Sequence, residues 1–207
     1  RDAEDYTEDE QEVGWRDIAS VAEEVRSAGA QALEVVSNVT DPEAVASLVA
    51  STLERFGRVD FVINNAGAAR GSDRVPVVEL AIEDWHKVMN VNLNGTFYMS
   101  RAFGQVLVEQ GEGGAIINIS SIAGKALPPN TAAYAASKSA IQALSASMAR
   151  EIGRHNVRVN AICPGIIDTY RMDEIGRGER WDAMLKTIPL GRAGIGEDIA
   201  YMAAFMC

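Results

Sequence analysis

Tyr134 and Lys138 stand four residues apart in the run Thr131-Ala-Ala-Tyr-Ala-Ala-Ser-Lys-Ser. The alanine-rich setting predicts a helix, and this spacing puts phenol and ammonium on one helical face. A free phenol ionises near pH ~10, and a cation beside it favours the ionised form. Such a pair can exchange a proton with a bound oxygen near neutral pH, which is acid/base chemistry. Chance also produces short motifs, so the weight of this one depends on what surrounds it.

The surrounding segments alternate between strand and helix. Trp15, Ile18, Val21, Ala22 and Val25 recur at helical spacing, and Gly29 supplies a stop. Residues 32–37 read as a short strand. Asp41-Pro42 is a cap with proline at the first helical position, opening a helix through Phe56 that Gly57 ends. Residues 59–63 form a second strand, followed by Asn64-Asn65-Ala66-Gly67. A long helical segment runs over 82–109, without a capping side chain at Ala81. The third strand is 114–119, followed by Ser120-Ser121; the helix carrying Tyr134 lasts to Gly153. The fourth strand is 157–162, stopped by Pro164-Gly165, and a last helix begins near Glu197. This order predicts an α/β domain whose parallel sheet is covered on both faces.

Composition narrows the function. At 207 residues and 47% hydrophobic, the chain can bury one core, so 1–207 reads as a single domain. Within it, 1–14 form an acidic loop and 166–196 a mixed, glycine-containing loop region. The net charge of −10 argues against nucleic acid or an anionic membrane as partner. Cys163 and Cys207 make neither a disulfide framework nor a zinc site, which suits a reducing, cytoplasmic setting. His86 and His155 sit among charged helical residues, with no spacing that suits a metal. The sequence holds no apolar run of about 18 residues.

In open α/β sheets, ligands bind beyond the carboxyl ends of the strands. Asn38, Asn64-Asn65, Ser120-Ser121 and Pro164-Gly165 each follow a predicted strand and should share that rim. With these residues in place, the sequence resembles the short-chain dehydrogenase/reductase family. The resemblance rests on Asn38-Val39-Thr40-Asp41, Asp60, Asn64-Asn65-Ala66-Gly67, Asn92-Leu93-x-Gly95, Ser121, Tyr134-x-x-x-Lys138 and Pro164-Gly165-x-x-x-Thr169. It implies a Rossmann-like doubly wound fold and an oxidoreductase interconverting a secondary alcohol and a ketone with NAD or NADP. It also implies a homodimer or homotetramer.

Carried over residue by residue, the resemblance makes Tyr134 the acid/base. Lys138 would depress the tyrosine pKa and bond the nicotinamide ribose. Ser121 would donate to the substrate oxygen, and Asn92 would hold a water that links the lysine to solvent. Asn38 and Val39 would bracket the adenine, and Asn65, Ala66 and Gly67 would line the cofactor near its adenosine ribose. Pro164, Gly165, Ile167 and Thr169 would lie at the carboxamide. A 3-oxoacyl thioester reductase of the same family is the alternative, and a non-catalytic dinucleotide-binding protein a further one. Arg70, Lys125 and Arg171 offer cations to an anionic substrate, although solvated loop charges explain them as well.

One departure is large. The family places a glycine-rich phosphate loop after its first strand, and this sequence contains none. The expectation is a chain lacking both ends of the family domain, binding NAD(H) weakly or not at all; a natural short variant with rebuilt cofactor binding is the alternative. Arg1 and Asp2 lie near the position that chooses between NAD and NADP. The acids that follow would repel a 2′-phosphate, which favours NAD.

Overall fold

The computed structural model describes residues 18–169, 172 and 176–207. The acidic stretch 1–14, the contribution of Trp15 and the cofactor-selecting position at Arg1-Asp2 lie outside the described residues, as does Arg171. The first described helix, α1, spans Ile18–Ser27 and ends before Gly29, whose φ of +87° suits a residue without Cβ. Helix α2 (Pro42–Phe56) has the ends expected of it. The Asp41 carboxylate accepts the Glu43 N–H, and left-handed Gly57 returns its own N–H to the Leu53 carbonyl.

Three parallel strands form the sheet in the order β1 (Phe61–Asn64), β2 (Gly114–Ile119), β3 (Val157–Ile162). Asn64 is in register with Asn118, and Ile119 with Ile162, so all three carboxyl ends reach one rim. β1 starts two residues later than expected. Asp60 precedes it, paired to Arg58 at 2.6 Å, while its carbonyl accepts the Ala115 N–H. Asp60 therefore sits at the rim opposite the carboxyl ends of the strands.

Residues 32–37 are not a strand. A strand is a paired state, and among the described residues no neighbour offers this segment a ladder; Val36 is 71% exposed. Asn38 consequently follows no strand. The outer edge of β1 likewise lacks a strand partner among the described residues, and Phe61 and Ile63 are half exposed.

The long helical segment is three pieces: α3 (Ile82–Met89), a π-helical turn (Asn90–Asn94) and α4 (Gly95–Gln110). A short α5 (Ala123–Ala126) follows β2, and α6 (Ala132–Ile152) carries Tyr134 and Lys138. Beyond β3 come α7 (Glu179–Leu185) and α8 (Gly196–Met206).

Alternation along the sheet divides the core. On one face Val62, Ile116, Val157 and Val159 pack with Phe103, Val106 and Leu107 of α4. On the other, Ala115, Ile117 and Ile162 meet Ala203 of α8. Fully burying each of the larger aliphatic side chains contributes about 1.5–3 kcal/mol. Of the apolar positions on the long helices, Val88 and Ile141 are core, whereas Phe97, Leu144 and Met148 line a cavity of about 420 Å³ between α4 and α6.

Candidate active site

Lys138 is the side chain from which the site is built. Only 5% exposed, it donates from Nζ to the Ile119 carbonyl at the end of β2, over 2.7 Å. Its ammonium lies 5.8 Å from the centre of the Tyr134 ring, so helical spacing does bring the two together. Two bonds lock α6 to the strand end. Ser120 Oγ donates to the Lys138 carbonyl (2.8 Å), and Gln142 Nε2 reaches Ser120 Oγ (3.0 Å).

Ser121 stands at the same end of β2. Its Oγ accepts the Ala123 N–H at 3.1 Å, and its carbonyl takes the Gln142 amide. No acceptor among the described residues takes the Ser121 hydroxyl proton. The turn through α5 is held close to α6 by Gly124. A Cβ there would lie 2.7 Å from the Ser139 nitrogen and 2.8 Å from the Lys138 carbonyl carbon, so only glycine allows this approach.

Asn92 is fully buried in the π turn. Its Oδ1 accepts the Ala68 N–H (2.8 Å) and its Nδ2 donates to Ser137 Oγ (2.9 Å). Ser137 in turn donates to the Tyr134 carbonyl at 2.8 Å. Asn92 therefore ties the loop after β1 to the helix turn that carries the phenol.

The other predicted residues are looser. Asn38 is exposed, and its Oδ1 accepts from the Thr40 N–H and Oγ, closing its own turn. Val39 packs against Gly95, where a Cβ would approach its Cγ2 to 2.8 Å. Val39, Asn65, Ala66 and Gly95 line a small cavity of about 60 Å³ at the β1 end. The Pro164 carbonyl accepts the Ile122 N–H, linking the ends of β3 and β2. Ile167 bridges Gly194, with Asp168 N–H bonded to the Gly194 carbonyl at 2.7 Å, while Gly165 and Thr169 are exposed.

Sequence reading placed Ser120 on the rim without a role and missed Ser137, Gln142 and Arg74. The guanidinium carbon of Arg74 lies 4.3 Å from the centre of the Tyr134 ring. Arg74 Nη1 is 3.0 Å from Asp73 Oδ2, yet neither buried atom makes a hydrogen bond. Burial pushes this guanidinium below its ordinary value; Asp73 and Tyr134 pull it back up, and Arg70 adds to the lowering.

The nicotinamide-facing half of a dinucleotide site fits these residues. A buried ammonium lies beside a phenol ring at the carboxyl end of β2, where Ser121 also stands, and Gly165 and Thr169 beyond β3 are exposed. Among the described residues no glycine-rich turn joins a strand to a helix for a pyrophosphate. Fold and rim together define an α/β protein of the Rossmann-like oxidoreductase class.

A family model described as enoyl-(acyl carrier protein) reductase matches residues 6–207. The chain is 34% identical to a 2-dehydro-3-deoxy-D-gluconate 5-dehydrogenase of Dickeya dadantii over 89% of its own length and 72% of that protein. It is 32% identical to a 3-oxoacyl-[acyl-carrier-protein] reductase of Thermotoga maritima, over 94% of this chain and 77% of the relative. The solved structure of an NAD+-bound xylitol dehydrogenase superposes with a TM-score of 0.84 at 30% identity, covering 91% of this chain and 77% of that one. The chain belongs to the short-chain dehydrogenase/reductase family.

Proposed function

We propose that this oxidoreductase interconverts a secondary alcohol and a ketone, with Tyr134 as the acid/base. The observation that carries the reading is the buried ammonium of Lys138 beside the Tyr134 ring. A buried lysine is costly, and a site that needs a cation next to a phenol explains its retention. Tyr134 gives its proton to the substrate oxygen in reduction and takes it back in oxidation. Ser121 donates its hydroxyl proton to the same oxygen, stabilising charge as it grows there. Lys138 holds the phenol's surroundings cationic and offers its ammonium to the nicotinamide ribose. Asn92 braces the Tyr134 turn through Ser137. When bound, a nicotinamide cofactor supplies or accepts the hydride.

Asn65, Ala66 and Gly67 with Val39 would line the adenosine side, with Asn38 at its edge. Pro164, Gly165, Ile167 and Thr169 would face the carboxamide. NAD is the favoured cofactor, supported by the NAD+-bound relative, with NADP as the alternative. The cavity on α4 and α6, with Phe97 and Leu144 in its lining, is where a homodimer or homotetramer contact would form, and the location we propose is the cytoplasm. A 3-oxoacyl thioester reductase is the second reading, favoured by the Thermotoga maritima relative. A purely dinucleotide-sensing protein would have no use for the buried lysine.

The test follows NAD(P)H consumption with a panel of ketones and a 3-oxoacyl thioester, at millimolar cofactor. Tyr134→Phe should lower turnover about 10³-fold with cofactor binding retained. Activity within tenfold of the original would remove Tyr134 from this role.

A further inference from the structure

Arg74 has no part in the chemistry above, yet it covers one face of the residue that performs it. It lies in the loop between β1 and α3, and its side chain is 20% exposed. A guanidinium withdrawn this far from water ordinarily gains hydrogen bonds in return. Its neighbour Asp73, itself only 4% exposed, spends Oδ1 on the Gly71 N–H and ion-pairs through Oδ2 with Arg74 Nη1 at 3.0 Å, without hydrogen-bond geometry. No other acceptor among the described residues bonds this guanidinium. Lys138 and Arg70 add positive charge nearby, in a chain whose net charge is −10. Arg70 and Lys125, two other cations singled out in the sequence, are exposed.

The geometry points to Arg74 as the anchor for a carboxylate on the substrate, placing the substrate carbonyl against Tyr134. A planar fork of donors matches a carboxylate in two parallel bonds, and a partly desolvated fork forms them more strongly. With the guanidinium carbon 4.3 Å from the centre of the Tyr134 ring, a carbonyl at the phenol and a carboxylate at Arg74 belong to one small oxo acid. The inference rests on the alcohol/ketone reading and names its substrate class.

The test compares pyruvate, acetoacetate and levulinate with their methyl esters, in the original protein and in Arg74→Gln and Arg74→Lys. The original should favour at least one acid over its ester by about 10- to 100-fold in kcat/KM. Arg74→Gln should erase that preference through KM while ester turnover stays within threefold, and Arg74→Lys should restore part of it. Equal losses for acid and ester in Arg74→Gln would overturn the assignment, as would an original protein without acid preference. Should no oxo compound be reduced, the alcohol/ketone reading falls, and calorimetric titration with levulinate and methyl levulinate decides on Arg74. Levulinate binding that exceeds the ester's and vanishes in Arg74→Gln supports the anchor. Equal or absent binding overturns it.

Discussion

At the α6 end of the crevice, Asn92, Ser120, Ser137 and Lys138 are each buried and joined across β2, the π turn and α6. At the opposite end Asn38, Asn65 and Ala66 are exposed, and Asn38 bonds only its own turn. Proton transfer needs groups held in place before the substrate arrives, and burial with reciprocal bonding achieves that. A surface that grips a flat ligand can adjust as the ligand binds, and such regions are drawn from the less stable parts of a fold. The contrast ties the division of labour to how many partners each polar atom has.

Substitutions at the two ends should differ in cost. Asn92→Ala leaves the Ala68 N–H without its acceptor and Ser137 Oγ without the bond it accepts, so unfolding free energy should fall by about 3 kcal/mol. Denaturant unfolding would show it, and a loss under about 1 kcal/mol would erase the contrast. Asn38→Ala removes bonds that water can replace and should cost about 0.5–1 kcal/mol in the same measurement.

A smaller effect is expected at the start of α8, where Asp198 accepts from the Ile195 N–H and from Arg192. The Arg192 bond, with the Ile195 N–H, holds this carboxyl below its ordinary value. A depressed carboxyl stabilises the fold above the unfolded pKa, near ~4, and that contribution fades as pH falls through the lower folded value. The stability difference between the original and Asp198→Asn should be flat above about pH 5 and shrink in acid. A difference that grew in acid would contradict the sign.

Local chemistry was the legible part of the sequence. Asp41-Pro42 and Gly57 bound α2 because caps depend on neighbouring residues alone. The strands read at 114–119 and 157–162 match β2 and β3 residue for residue. Residues 32–37 carried the same kind of pattern and failed, since a strand requires a partner that composition cannot supply. Tyr134 and Lys138 were readable because one helix turn carries both. Arg74, Ser137 and Gln142 were not, because each acquires its meaning from a residue on another element or another turn. Asn118 did leave a trace, as a polar residue inside an apolar strand. It accepts from Asn64 and donates to Ser145, joining β1, β2 and α6 within the core.

Gly95 has a wider reach than its size suggests. Its bare Cα lets Val39 settle directly against the first turn of α4, one residue after the π turn that holds Asn92. Even a methyl group at 95 would act as a wedge, prying Val39 outward while jarring the π turn that holds Asn92. On the proposed reading, a single alanine would loosen the cofactor and blunt catalysis together from a position that lines neither reacting group.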